Sequence, residues 1–164
     1  MQQREGGVIV GVIGASQADR DTMRDAYEVG RLIARKDAAL ICGGLGGVME
    51  EAARGAKKEG GLTIGVLPGD DLRQANPYID VPIVTGMGYA RNVIIVRSSR
   101  AIIAVGGSYG TLSEIAYALN LGVPLVGLGT WDIAKIDARR TGMVMAATPQ
   151  EAVERVIGVM TSCN

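Results

Sequence analysis

The sequence contains no histidine and no phenylalanine, a single tryptophan and only two cysteines in 164 residues. Without histidine, a Ser-His-Asp triad, a His general base and every His-containing metal site are excluded. Any chemistry must come from carboxylates, Arg or Lys, hydroxyls, thiols or backbone dipoles. With so few aromatics, Val, Ile, Leu and Ala must fill the core, which suits strands buried on both faces. An excess of charge is lacking too. Lys plus Arg equals Asp plus Glu at 17 each, so there is no basic footprint for nucleic acid or an anionic membrane. No apolar run approaches the ~20 residues of a bilayer span. Met1 to Gly7 is polar, without the apolar core of a secretory signal. Cys42 and Cys163 do not form a metal-ligand spacing. The expectation is a cytoplasmic protein with free thiols, no metal site, and neither nucleic acid nor membrane as partner.

What is present is a rhythm of short apolar runs and amphipathic stretches. Strands are predicted at Val8–Ile13, Ala38–Cys42, Leu62–Leu67, Ile79–Thr85, Ala101–Val105, Leu125–Leu128 and Met143–Ala146. Pro82 pushes the fourth towards a sheet edge. Helices are predicted between them, the first capped by Asp19 or Ser16 and running to about Lys36. The others cover Val48–Glu59, Tyr89–Ser99, Thr111–Leu121 and Pro149–Met160. Strands alternating with helices imply an α/β fold: one doubly wound, Rossmann-like, mostly parallel sheet with helices on both faces. A single domain is expected over 8–164, behind a loosely ordered tail at 1–7. Its ligand crevice should lie beyond the strands' carboxyl ends, where strand order reverses.

Three glycine-bearing turns follow strands. The strongest is Gly106-Gly107-Ser108-Tyr109-Gly110-Thr111-Leu112-Ser113-Glu114. Its glycines allow close backbone approach to an anion, and the following helix offers unpaired N–H groups and a positive dipole end. Thr111 adds a hydroxyl. Glu114 either completes a capping box with Thr111 or faces the ligand crevice. Tyr109 either stacks on a ring or shields the loop. The second turn runs from Cys42 through Gly43, Gly44, Leu45, Gly46 and Gly47 to Val48 and Met49. It serves either an anion or close helix-on-strand packing. The third, Gly14-Ala15-Ser16, is weaker and by itself reads as a capped helix start. None carries the Lys-Ser or Lys-Thr ending of a P-loop, and Gly11 to Ser16 is not GxGxxG. In the segment Gly88-Tyr89-Ala90-Arg91-Asn92, Arg91 suits bidentate binding of phosphate or carboxylate, or else a surface ion pair.

In order and spacing these pieces resemble the Lonely Guy (LOG), or "lysine decarboxylase-like", Rossmannoid family of the SLOG superfamily. Gly106 to Glu114 parallels its PGGxGTxxE motif, Cys42 to Met49 its GGGxxGLM-like loop, and Arg91-Asn92 its Arg-Lys pair. The resemblance spans nearly the whole chain. It implies removal of ribose 5′-phosphate from a nucleoside monophosphate, with Glu114 and Arg91 as the catalytic pair and no cofactor needed for catalysis. Gly107, Ser108, Tyr109, Gly110 and Thr111 would cradle phosphate. Gly14, Ser16, Gly43, Gly44, Gly46, Gly47, Met49, Asn92 and Asn120 would make further ligand contacts. A homodimer or higher homo-oligomer is expected, most simply a dimer through the helices bearing Arg91 and Thr111. Pyridoxal-phosphate decarboxylation is not expected, because no glycine loop contains a Schiff-base lysine. The family proline is Gly106 here, its second glycine Ser108, and its paired lysine Asn92. These departures, with the segment Ile64 to Asp71, are similar to the branch holding molybdenum-cofactor carriers. That branch implies binding of a nucleotide or a phosphorylated molybdopterin-type ligand, with no transformation of it required.

Overall fold

Apolar side chains alternating along the strands divide into two sets, and each set is covered by its own helices. Val10, Val12, Leu40, Cys42, Ile103 and Val105 belong to one buried cluster; Ile13, Ile41, Ile102 and Ala104 belong to the other. This two-faced alternation is what a strand with period-2 side chains produces when both faces are buried.

The computed structural model describes residues 7–133 and 142–161. In chain order the elements are β1 (Ile9–Gly14), α1 (Arg20–Arg35), β2 (Ala39–Cys42), α2 (Val48–Lys58), β3 (Thr63–Leu67) and β4 (Val81–Val84). They continue with α3 (Asn92–Ser98), β5 (Ala101–Val105), α4 (Tyr109–Leu121), β6 (Leu125–Leu128), β7 (Met143–Ala146) and α5 (Pro149–Thr161). Among the described residues the seven strands form one parallel sheet in the order β4-β3-β2-β1-β5-β6-β7. Helices α1, α2 and α5 cover one face, and α3 and α4 the other. This is the Rossmann-like α/β architecture expected from the sequence. The tail expected at 1–7 lies, apart from Gly7, outside the described residues, as does Cys163.

The chain winds outward from β1 to β4, returns through α3, and inserts β5 against the free side of β1. Gly14 is then level with Val105. Strand order therefore reverses between β1 and β5, and the loops leaving these strands diverge.

Local chemistry moves several boundaries. Asp19, not Ser16, caps α1 by accepting the Thr22 N–H at 2.8 Å. Pro82 lies on edge strand β4, where a missing N–H costs no ladder bond. That strand is four residues long because Thr85 turns back and donates to the Leu67 carbonyl. The helix expected from Tyr89 opens as a 3₁₀ turn over Gly88–Arg91 before α3 begins. α4 begins at Tyr109, two residues before Thr111, with Ser108 as its N-cap. On the opposite face α1 and α2 cross at backbone contact. A Cβ on Gly30 would collide with the Ala52 carbonyl, and one on Gly55 with the Tyr27 carbonyl.

Candidate functional site

A cleft of about 160 Å³ opens at the β1–β5 reversal. Its lining includes Gly14 and Ser16 after β1, Gly43 and Met49 around the β2–α2 turn, and Arg91 and Asn92 at the start of α3. Ser108, Gly110, Thr111 and Glu114 from the β5–α4 turn complete it. Three loops far apart in sequence thus reach one cavity because their strands are parallel and adjacent.

The shift of the α4 start changes the role of Glu114. Thr111 Oγ1 accepts the Ser108 N–H at 3.2 Å, so the local cap joins Ser108 to Thr111. The alternative capping box of Thr111 with Glu114 is not formed. Thr111 keeps its hydroxyl proton for a further acceptor, and Glu114 projects into the cleft. The first α4 backbone bond is Leu112 N–H to the Ser108 carbonyl. Of the amides before it, that of Thr111 is capped by the Ser108 side chain and those of Tyr109 and Gly110 have no partner within the helix; Gly110 and Thr111 bring that end to the cleft wall.

Arg91 and Glu114 are both buried, 7% and 6% exposed, with Nη1 and Oε1 3.9 Å apart. Arg91 is therefore no surface ion pair. Its Nη1 donates to Asn92 Oδ1 and its Nη2 to the Gly43 carbonyl at 3.4 Å. Its Nε is buried without a hydrogen-bond partner among the described residues. Asn92 in turn donates to Ser113 Oγ at 3.3 Å, and Ser113 donates to the Gly110 carbonyl at 2.7 Å. The residue standing where the resembling family has lysine thus links the guanidinium to the first turn of α4.

Burial pushes the Glu114 carboxyl up from 4.5 to about 7, against the opposing pull of Arg91. Burial also lowers the Arg91 value, which Glu114 partly restores, and the guanidinium stays charged near neutrality. Cys42 lies just behind the cleft, fully buried, its thiol raised to about 11 by desolvation. It is a packing residue, not a nucleophile.

Other expected contacts fall outside the lining. Gly44, at φ 74°, faces Leu67 and Gly65 of β3, and Gly47, at φ 63°, abuts the Ala15–Ser16 backbone. Gly46 lies beside Ser16 without lining the cavity. Gly107 turns to the far side of its loop, towards Trp131 and Thr130, and Tyr109 stands exposed beside them. Asn120 is exposed, because six positions beyond Glu114 leave it about a third of a turn out of line. Val12, Ile13, Leu45 and Tyr89 line the cleft without having been singled out as contacts. Leu45 and Tyr89 were legible within the second turn and the Gly88–Asn92 segment; Val12 and Ile13 carry no signal beyond being apolar near a strand end.

A profile of the SLOG cluster4 family matches residues 7–153. The chain belongs to that family. An uncharacterized protein from Archaeoglobus fulgidus is 52% identical over 149 residues, covering 90% of this chain and 93% of that one. A molybdenum cofactor binding protein from the phototrophic bacterium Rippkaea orientalis has a similar structure, with a TM-score of 0.89 and 38% identity. The match covers 95% of this chain and 99% of that one. A molybdenum cofactor carrier protein from Chlamydomonas reinhardtii gives a TM-score of 0.86 at 38% identity, again covering 95% and 99%. The rice protein named "Probable cytokinin riboside 5′-monophosphate phosphoribohydrolase LOGL9" is 36% identical over 106 residues. That match covers 62% of this chain and 47% of the Oryza sativa subsp. japonica protein.

Proposed function

We propose that this chain is a binding protein of the molybdenum-cofactor-carrier type, holding a phosphorylated pterin-like ligand in the β1–β5 cleft. One observation carries the reading: Gly110 at the amide end of α4 and Arg91, whose Nε is buried without a partner, line the same small cavity. A phosphate accepts from donors of both kinds and brings negative charge to the guanidinium. Similarity to proteins named for binding or carrying molybdenum cofactor supports the choice of ligand.

The residues present fit the organic, phosphorylated part of such a ligand. Among the described residues no group of three or more His, Cys, Asp or Glu is arranged to hold a metal ion. When bound, the ligand brings its own metal centre. Gly110 presents its backbone N–H to the phosphate, and Thr111, whose own N–H is taken by the Ser108 side chain, adds its hydroxyl proton. Arg91 supplies the compensating charge, held in place by Asn92 and Gly43. Glu114, about half protonated near pH 7, repels an incoming anion less than an ordinary carboxylate would. Native mass spectrometry of the purified protein, with calorimetry against a phosphorylated pterin, tests this. One phosphorylated ligand per chain is expected, with affinity lost in Arg91→Ala. Absence of affinity for any phosphorylated pterin or nucleotide rejects the reading.

A second reading, hydrolysis of a nucleoside 5′-monophosphate to free base and ribose 5-phosphate, is favoured by the Arg91–Glu114 pairing itself. Here ionised Glu114 stabilises the oxocarbenium-like ribosyl carbon and activates water, while Arg91 positions the sugar phosphate. Incubation with AMP and an assay of free base separates the two. Release abolished in Glu114→Ala supports hydrolysis; none above that control leaves binding alone. The homodimer expected through α3 and α4 belongs to the same proposal, and sedimentation reads it directly.

A further inference from the structure

Beside the cleft, on the other side of the Gly106–Ser108 turn, lies a second cavity of about 220 Å³. Gly107, Gly129, Thr130 and Trp131 line it. Trp131 follows β6, and its indole N–H donates to the Ser108 carbonyl at 3.3 Å. The indole stacks on Tyr109, with ring centroids 6.3 Å apart and planes 25° from parallel. Tyr109 is 83% exposed and Trp131 40%. The Thr130 hydroxyl oxygen is buried and lacks a hydrogen-bond partner among the described residues.

Two of these features, the exposed aromatic face and the unpartnered hydroxyl, leave interactions that a ligand would complete. This chain has six aromatic residues, one Trp and five Tyr, and two of them are stacked in solvent on the rim instead of entering the core. An unsatisfied buried hydroxyl is unfavourable as well. Gly107 makes the arrangement possible. A Cβ there would lie 2.8 Å from Trp131 Nε1 and 3.0 Å from Thr130 Oγ1. Tyr109 is also the first residue of α4, so the aromatic pair begins one residue from the amides that face the cleft.

We infer that Tyr109, Trp131 and Thr130 form a ring subsite for the fused nitrogen heterocycle of the ligand whose phosphate lies at the start of α4. The inference rests on the phosphate-binding reading of the cleft. The heterocycle stacks on the aromatic pair, and a ring nitrogen or exocyclic group completes the hydrogen bonding of the Thr130 hydroxyl. Pterin and purine share this chemistry: a flat π-face with polar edges.

Trp131 is the only tryptophan in the chain, so its fluorescence reports on this subsite alone. The full chain is titrated with a phosphorylated pterin, with AMP and with ribose 5-phosphate, following both emission and heat. Ring-bearing phosphates are expected to change Trp131 emission saturably, and ribose 5-phosphate to bind without doing so. Trp131→Leu should reduce the ratio of ring-ligand to ribose 5-phosphate affinity about tenfold. Tyr109→Leu, at an exposed position that spares the core, should reduce it in the same direction. The ring giving the larger ratio identifies the source, pterin or purine. Binding of ribose 5-phosphate with no gain from either ring, or an unchanged ratio in both variants, overturns the ring subsite and leaves the cleft reading standing. Failure of all three probes to bind overturns the cleft reading, and the ring subsite with it.

Discussion

The two glycine-rich turns look alike in sequence, yet Gly44 and Gly47 of the first and Gly110 of the second are used in opposite ways. After β2, Gly44 and Gly47 adopt positive φ and press their bare Cα atoms against β3 and the Ala15–Ser16 backbone. That turn is part of the packing, and only Gly43 of its glycines borders the cleft. After β5, Gly110 has no atom closer to a built Cβ than Ser108 Oγ at 3.7 Å. There the absence of a side chain leaves open space at a helix end. Glycine density therefore marks close approach of backbone, and the neighbour approached decides whether the result is core or cleft.

The largest effect should come from breaking the packed turn. Gly47→Ala combines a collision with Ser16 and a left-handed backbone unsuited to alanine, so a loss on the order of 3 kcal/mol is expected in urea denaturation. Next comes the buried carboxyl behind the open turn. Glu114 titrates near 4.5 when unfolded and at about 7 when folded, so the folded state binds its proton more tightly. Its contribution is complete below pH 4.5 and is lost as pH rises through about 7. The fall should be on the order of 2–3 kcal/mol between those limits, and Glu114→Gln should flatten it. Measuring stability of the ligand-free protein from pH 4 to 9 tests both points. Smallest in stability is Gly110→Ala, which replaces a poor helix former within α4 and should raise stability by up to about 1 kcal/mol. The same methyl group enters the cleft wall, so under the proposed function affinity for phosphate ligands should fall while the fold gains. A fall in stability comparable to that of Gly47→Ala would erase the contrast between the turns.

The architecture was legible because period-2 and period-3.6 patterns depend only on which faces are buried. The cleft was legible in part, since a strand followed by glycines and a helix start is a local signature. What escaped depends on angles and neighbours. Glu114 was ambiguous until the helix start was fixed at Tyr109, because Ser108 and Thr111 are both competent caps. Gly44 and Gly107 sit in the glycine turns but face β3 and Trp131 instead of the cleft, which composition does not encode. Asn120 failed on helical phase, a discrepancy that spacing could have revealed. Trp131 gave no motif; its place beside Ser108 arises from β6 pairing with β5, a contact between distant segments.

The adjacency of β1 and β5 also has a consequence for the order of assembly. The cleft draws Gly14 and Gly43 from the first third of the chain and Glu114 from well past its midpoint. A growing polypeptide that stops short of residue 101 leaves one side of β1 without its eventual neighbour and has no pocket to occupy. Closing that gap requires a contact between segments roughly ninety positions apart, a slow kind of event in folding. Under the proposed function, filling of the cleft is thus a late event that rewards only a finished molecule.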